Sequence, residues 1–175
     1  QMNYEVDREK KDPREVARNF LKNQGITVVP KKSGTPEIVI GSKNFTENFI
    51  LAEMFAAVVE SQSTLTVELR QGFGGTKLLM DAIKNGDVDI YPEYTGTALL
   101  VMLKPPTQVL DSLAGSPERV YEYVQKKCQE RFNLTWLKPL GFNNTTALMM
   151  RKDDAERMGI KKISDLKEYV QNLER

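Results

Sequence analysis

The segment Tyr91-Pro92-Glu93-Tyr94-Thr95-Gly96-Thr97 brings phenol rings, a carboxylate and hydroxyls into one short stretch of chain. A phenol face attracts a cation through the ring quadrupole, at about 0.5–2 kcal/mol per contact depending on desolvation, and threonine hydroxyls add hydrogen bonds. Such a set suits a small, positively charged solute. Taken alone, it fits equally a proline-containing turn whose tyrosines cover the edge of a core.

The surrounding elements weigh between the two. Val88-Asp89-Ile90 before the segment is short and β-prone, and Ala98 to Leu103 after it is apolar on every face, as in a buried helix. Ile38-Val39-Ile40 likewise runs through Gly41-Ser42-Lys43-Asn44-Phe45-Thr46-Glu47 into a helical pattern carried by Ile50, Leu51, Met54, Phe55, Val58 and Val59. Leu65 to Leu69 alternates like a half-buried strand and passes through Gly72-Phe73-Gly74-Gly75-Thr76 into a helix with Leu78, Leu79, Ala82 and Ile83 on one face. Right-handed crossovers between parallel strands bring the loops of these units to one sheet edge, where open α/β folds bind ligands. Lys43, Thr46, Gly74, Thr76, Tyr91, Tyr94 and Thr97 are expected to converge there. The glycine loop fits neither nucleotide fingerprint: Thr76-Lys77 stand in the wrong order for one, and the third glycine of the other is missing. It reads as a tight turn whose backbone N–H groups can still meet a polar ligand.

Composition narrows the function classes. The 175 residues are 40% hydrophobic and 28% charged, enough for one good core or two small lobes. A net charge of +1 speaks against a nucleic-acid binder. There is no histidine, which removes histidine-based triads and histidine-ligated metal sites. The single Cys128 shares a helical face with Val120 and Val124 and reads as a buried thiol. No cofactor or metal site is expected. Glu47, Glu93 and Asp89 lie in or near the loops, but carboxylates without a defined spacing are a weak sign of acid–base catalysis, so no enzyme is expected. The Asn-x-Ser/Thr matches at Asn44, Asn133, Asn143 and Asn144 read as chance.

Punctuation divides the chain. Asp12 at the N-cap, Pro13 at N1 and Glu15 at N3 start a helix whose apolar face is Val16, Ala17, Phe20 and Leu21, and Gly25 ends it. Residues 1–34 are thus a helix and linker, readable as an ordinary packing helix or as a connector from a larger polypeptide. Residues 35–110 form a first lobe. Past Lys104-Pro105-Pro106, residues 111–175 form the first part of a second lobe, with helices over 118–132, 153–158 and 164–173 (Ser164 as N-cap) and strands over 134–137 and 145–151. Trp136 is expected in the second lobe's core. No run approaches the length of a membrane span, and no signal pattern opens the chain.

The strings IGSKNFTEN, GGTKLLMDAIKNGDVDIYPEYTGT and FNNTTALMMRKDDAERMGIKKISDL resemble the substrate-binding proteins of ABC importers for glycine betaine, choline, carnitine and proline betaine. The resemblance runs from about Pro36 onward. It implies an α/β, two-lobed periplasmic-binding-protein-like (type II) fold, incomplete at the C-terminus. It also implies an extracytoplasmic protein that closes on a quaternary ammonium in an aromatic cage and docks on a permease subunit or a fused permease domain. Carried over by position, Tyr94 becomes a cage wall, Thr97 a hydroxyl donor to a ligand carboxylate, Lys43 the cation facing that carboxylate, and Asn144 an acceptor from the second lobe. With Asn44, Thr46, Tyr91 and Thr146 these complete the expected ligand set. One departure matters: betaine binders of the family often read FNNTYAL, whereas Thr146 stands here in place of the tyrosine. Either another aromatic substitutes or the ligand is not a simple betaine, which brings ergothioneine, carried by related permease-fused importers, into range. The chain's end at Arg175 also leaves apolar faces expected to favour association or swapping between chains. A sensor domain of the same architecture for another polar solute is the alternative.

Overall fold

In the computed structural model, residues 1–144 and 148–173 are described, and the chain divides into two compact units, Gln1–Pro139 and Leu140–Arg175. The first unit opens with α1 (Met2–Asp7) and α2 (Pro13–Asn23). Asp12 caps α2 as expected, its side chain accepting the Arg14 N–H at 2.8 Å, and Gly25 takes the left-handed φ of +76° just past the helix end. Next come β1 (Ile38–Gly41), α3 (Thr46–Gln62), β2 (Val67–Arg70) and α4 (Thr76–Asn85). β1 and β2 pair in parallel with Ile38 opposite Val67 and Gly41 opposite Arg70, as a strand–helix–strand crossover requires.

Helix α3 is buried on two sides. Ile50, Leu51, Met54 and Ala57 meet Ala17 and Leu21 of α2, while Ala52 and Ala56 meet Ile40 and Val67 of the sheet. This explains why the apolar positions of α3 exceed a single stripe. It also shows residues 1–33 packing as part of the first unit: Arg14 pairs with Glu53 at 3.2 Å, and the Arg18 guanidinium donates to the Val29 carbonyl at 2.7 Å.

The expected third strand is reduced to a single bridge, Ile40 with Ile90. The Gly41 N–H donates to the Ile90 carbonyl at 2.9 Å, while the Asp89 carboxylate takes the Val39 N–H at 2.7 Å. A side chain therefore satisfies part of the edge of β1, and Pro92, which has no N–H, prevents the ladder from extending.

The chain continues through α5 (Thr95–Thr97) into a π-helical segment (Ala98–Leu103), then α6 (Thr107–Leu113) and α7 (Pro117–Phe132). Ala98, Leu99 and Leu103 pack with Leu113, Val124 and Cys128, and Leu134 and Trp136 lie against the same cluster. The first compact unit runs on to Pro139, and Trp136 packs in this unit. Residues 134–137 are not a strand: the Trp136 carbonyl accepts from the Gln125 amide at 2.9 Å, so a side chain replaces a sheet partner. Cys128 is fully buried, and burial pushes its thiol pKa up.

In the second unit, α8 (Lys152–Met158) and α9 (Ile163–Leu173) form close to their expected limits. The Asp165 carboxylate, not Ser164, serves the start of α9, accepting the N–H groups of Lys161 and Lys162 at 2.9 and 3.1 Å. Of the strand expected over 145–151, residues 148–151 are not extended into a sheet, and 145–147 lie outside the described residues. Among the described residues no helix is long and apolar enough to cross a membrane.

Candidate functional site

The loops after β1, after β2 and before α5 meet at one sheet edge, and backbone hydrogen bonds stitch them together. Ser42 N–H donates to the Arg70 carbonyl at 3.1 Å, Phe73 N–H to the Ser42 carbonyl at 3.0 Å, and Asn44 N–H to the Gly74 carbonyl at 3.3 Å. Gly72 and Gly74 adopt φ of +72° and +92°, which a side chain would strain, so the glycine loop is the tight turn expected of it.

Asn48, buried in the first turn of α3, ties the first loop to the third. Its Oδ1 accepts the Lys43 N–H at 2.8 Å, and its Nδ2 donates to the Pro92 carbonyl at 3.4 Å and the Tyr94 hydroxyl at 3.3 Å. The Tyr94 hydroxyl in turn donates to Glu47 Oε1 at 2.6 Å. The Tyr94 hydroxyl is thereby held both as acceptor and as donor, which anchors the outer end of its ring to the scaffold.

Lys43 sits at the centre. Its ammonium pairs with Glu93 and lies 5.2 Å from the centroid of the Tyr94 ring. Lys43, expected to face a ligand carboxylate, has an anionic partner within the chain, and the two side chains are only 7% and 5% exposed. The same Glu93 Oε1 accepts the Tyr94 N–H at 2.9 Å, and Glu93 Oε2 is buried without a hydrogen bond of ordinary geometry among the described residues. Tyr91 is half-buried beside this carboxylate, and burial, aided by the Glu93 charge, pushes its hydroxyl pKa well up, so Tyr91 stays neutral.

Phe45, 40% exposed, completes an aromatic pair, its ring centroid 6.1 Å from that of Tyr94 with planes inclined by 32°. Thr97 is half-buried in α5, close in sequence to Tyr94. The hydroxyl of Thr46, a member of the expected ligand set, donates to Asp7 at the end of α1. Asn44 is exposed, its side chain near Gly72. Asn144 is exposed in the second unit, and Thr146 lies outside the described residues. Glu47, Glu93 and Asp89 serve different partners, namely the Tyr94 hydroxyl, Lys43 and the Val39 N–H, so they do not act as a carboxylate pair. Among the described residues no group of acidic or cysteine side chains is placed to hold a metal ion.

Asn48, Phe45 and the structural role of Glu93 went unrecognised in the sequence. A signal existed for the first, because a polar side chain one turn into a helix otherwise packed on both sides must find partners. Phe45 had none beyond its place in the loop.

A desolvated charge pair, tyrosine and phenylalanine rings and hydroxyls are thus gathered at one edge of a parallel sheet. The chain belongs to the family described as the substrate binding domain of ABC-type glycine betaine transport system, whose pattern matches residues 36–175. It is 36% identical over 141 residues to the ergothioneine transport permease/ergothioneine binding protein EgtU of Helicobacter pylori, covering 78% of this chain and 23% of that one. It is 34% identical to the glycine betaine-binding protein YehZ of Escherichia coli, covering 82% and 45% respectively. The fold is similar to apo YehZ, with a TM-score of 0.56 at 32% identity over 79% of this chain and 47% of that chain. The chain thus spans less than half the length of these relatives. Its family is one of substrate-binding domains of ABC transport, as the resemblance implied.

Proposed function

We propose that this domain binds a quaternary ammonium solute, such as glycine betaine, choline, carnitine or ergothioneine, outside the cytoplasm and delivers it to an ABC permease, carried as a separate subunit or fused. A trimethylammonium group has no N–H donors, so hydrogen bonds cannot select it, whereas oriented aromatic faces can. The observation that carries the reading is the Lys43 ammonium 5.2 Å from the Tyr94 ring centroid: that face already holds a cation. Tyr94 is the fixed wall, and Phe45 is the aromatic that stands in for the tyrosine replaced by Thr146. Lys43 and Thr97 serve a ligand carboxylate, with Tyr91 and Asn44 at the rim. Asn144 and Thr146 complete the proposed ligand set. The names of the relatives support both betaine-like ligands and ergothioneine.

Thermal unfolding with each of these compounds tests the reading. A ligand at 100 times its Kd stabilises the native state by about 2.7 kcal/mol, which raises the midpoint measurably. A rise with at least one trimethylammonium compound is expected, and none with the uncharged tert-butyl analogue of choline. Equal rises with the analogue would overturn cation selection.

A further inference from the structure

Within the quaternary ammonium reading, we propose that Glu93 is an internal stand-in for the ligand's anionic group and sets the discrimination between zwitterions and simple cations. Its carboxylate occupies the Lys43 ammonium, and both side chains are buried. A buried ion pair persists when its remaining polar atoms are also satisfied. Here the two halves differ: Glu93 Oε1 is shared between Lys43 and the Tyr94 N–H, whereas Glu93 Oε2 is buried beside the Tyr91 side chain and makes no hydrogen bond of ordinary geometry among the described residues. A native structure that leaves a carboxylate oxygen in this state marks a place where a further group or a rearrangement is accommodated. Lys43 carries three N–H donors, so it can meet a second carboxylate beside or in place of Glu93.

Charge balance gives the consequence. The Lys43–Glu93 pair is neutral. A zwitterion whose ammonium rests on Tyr94 adds no net charge, and its carboxylate competes with Glu93 for Lys43. A simple cation adds one positive charge beside an ammonium that Glu93 alone compensates. Glu93 therefore makes choline-like cations tolerable and obliges betaine-like zwitterions to compete. Removing its charge leaves Lys43 uncompensated, which repels the cation and welcomes the carboxylate.

The test is isothermal titration of the parent protein and of Glu93→Gln with glycine betaine and choline, which share the trimethylammonium group. Glu93→Gln is expected to raise the ratio of betaine to choline affinity by at least roughly tenfold, and Lys43→Met to lower it. Glu93→Asp, which keeps the charge but retracts it by one methylene, guards against loss of folding in the first variant and should shift the ratio in the same direction by less. An unchanged ratio in folded Glu93→Gln or Glu93→Asp overturns the stand-in role while the parent still binds. A parent that binds neither compound nor any other trimethylammonium solute overturns the ammonium reading, and this role with it.

Discussion

Tyr94 offers a way to separate a ring that binds from a hydroxyl that holds the site together. Tyr94→Phe keeps the quadrupole and removes the oxygen that donates to Glu47 at 2.6 Å and accepts from Asn48 at 3.3 Å. Asn48 retains its contacts to Lys43 and Pro92, so the loss centres on the bond to the Glu47 carboxylate, about 1.5–3 kcal/mol for a hydrogen bond to a charged group. Tyr94→Leu removes the same hydroxyl and the aromatic face as well. One cation–π contact is worth about 0.5–2 kcal/mol, or about a 2- to 30-fold change in affinity. Urea unfolding should therefore show both variants destabilised. Titration with the tightest trimethylammonium ligand should show only Tyr94→Leu losing affinity within that range. The reasoning fails if Tyr94→Phe loses as much affinity as Tyr94→Leu, because the oxygen would then be the ligand contact. It fails also if Tyr94→Leu binds as well as the parent.

Other consequences concern the scaffold. Leu21→Ala should cost about 2–5 kcal/mol in urea unfolding, because Leu21 is 5% exposed between α2 and α3; a cost under about 0.5 kcal/mol would mean that residues 1–33 do not belong to the fold. Tyr91 has a hydroxyl pKa raised in the folded state, so its contribution is fully present below the ordinary tyrosine pKa near ~10 and is lost as pH rises above it. Stability measured from pH 8 to 11 should decline on the alkaline side, less steeply in Tyr91→Phe; parallel curves would refute the assignment. Native Cys128 should resist alkylation at neutral pH and react after unfolding, whereas rapid native labelling would contradict its burial.

Much of the first unit was legible because its signals are local. Apolar runs of strand length, followed by loops rich in glycine and hydroxyls and then by helical periodicity, specify β1–α3 and β2–α4. Asp12-Pro13 with Gly25 specifies α2. The loops that such units bring to one sheet edge could be read off before any contact was known. What escaped depends on side chains competing for backbone groups or charges across long separations in sequence. Asp89 took a β1 N–H, Gln125 took the Trp136 carbonyl, and both expected strands gave way. Thr46 turned to Asp7, distant in sequence, and Lys43 turned to Glu93. Periodicity reports which face is buried and says nothing of which partner a polar group finds there. The apolar face of α7 likewise looks the same in sequence whichever cluster it completes.

The central claim is that an oriented aromatic face in this domain selects a quaternary ammonium by its charge. Isothermal titration with choline and with its tert-butyl analogue, equal in shape and differing in that charge, tests it most directly. The account predicts heat and saturable binding with choline and none with the analogue at the same concentrations. Equal binding of the two, or binding of the analogue alone, would contradict it.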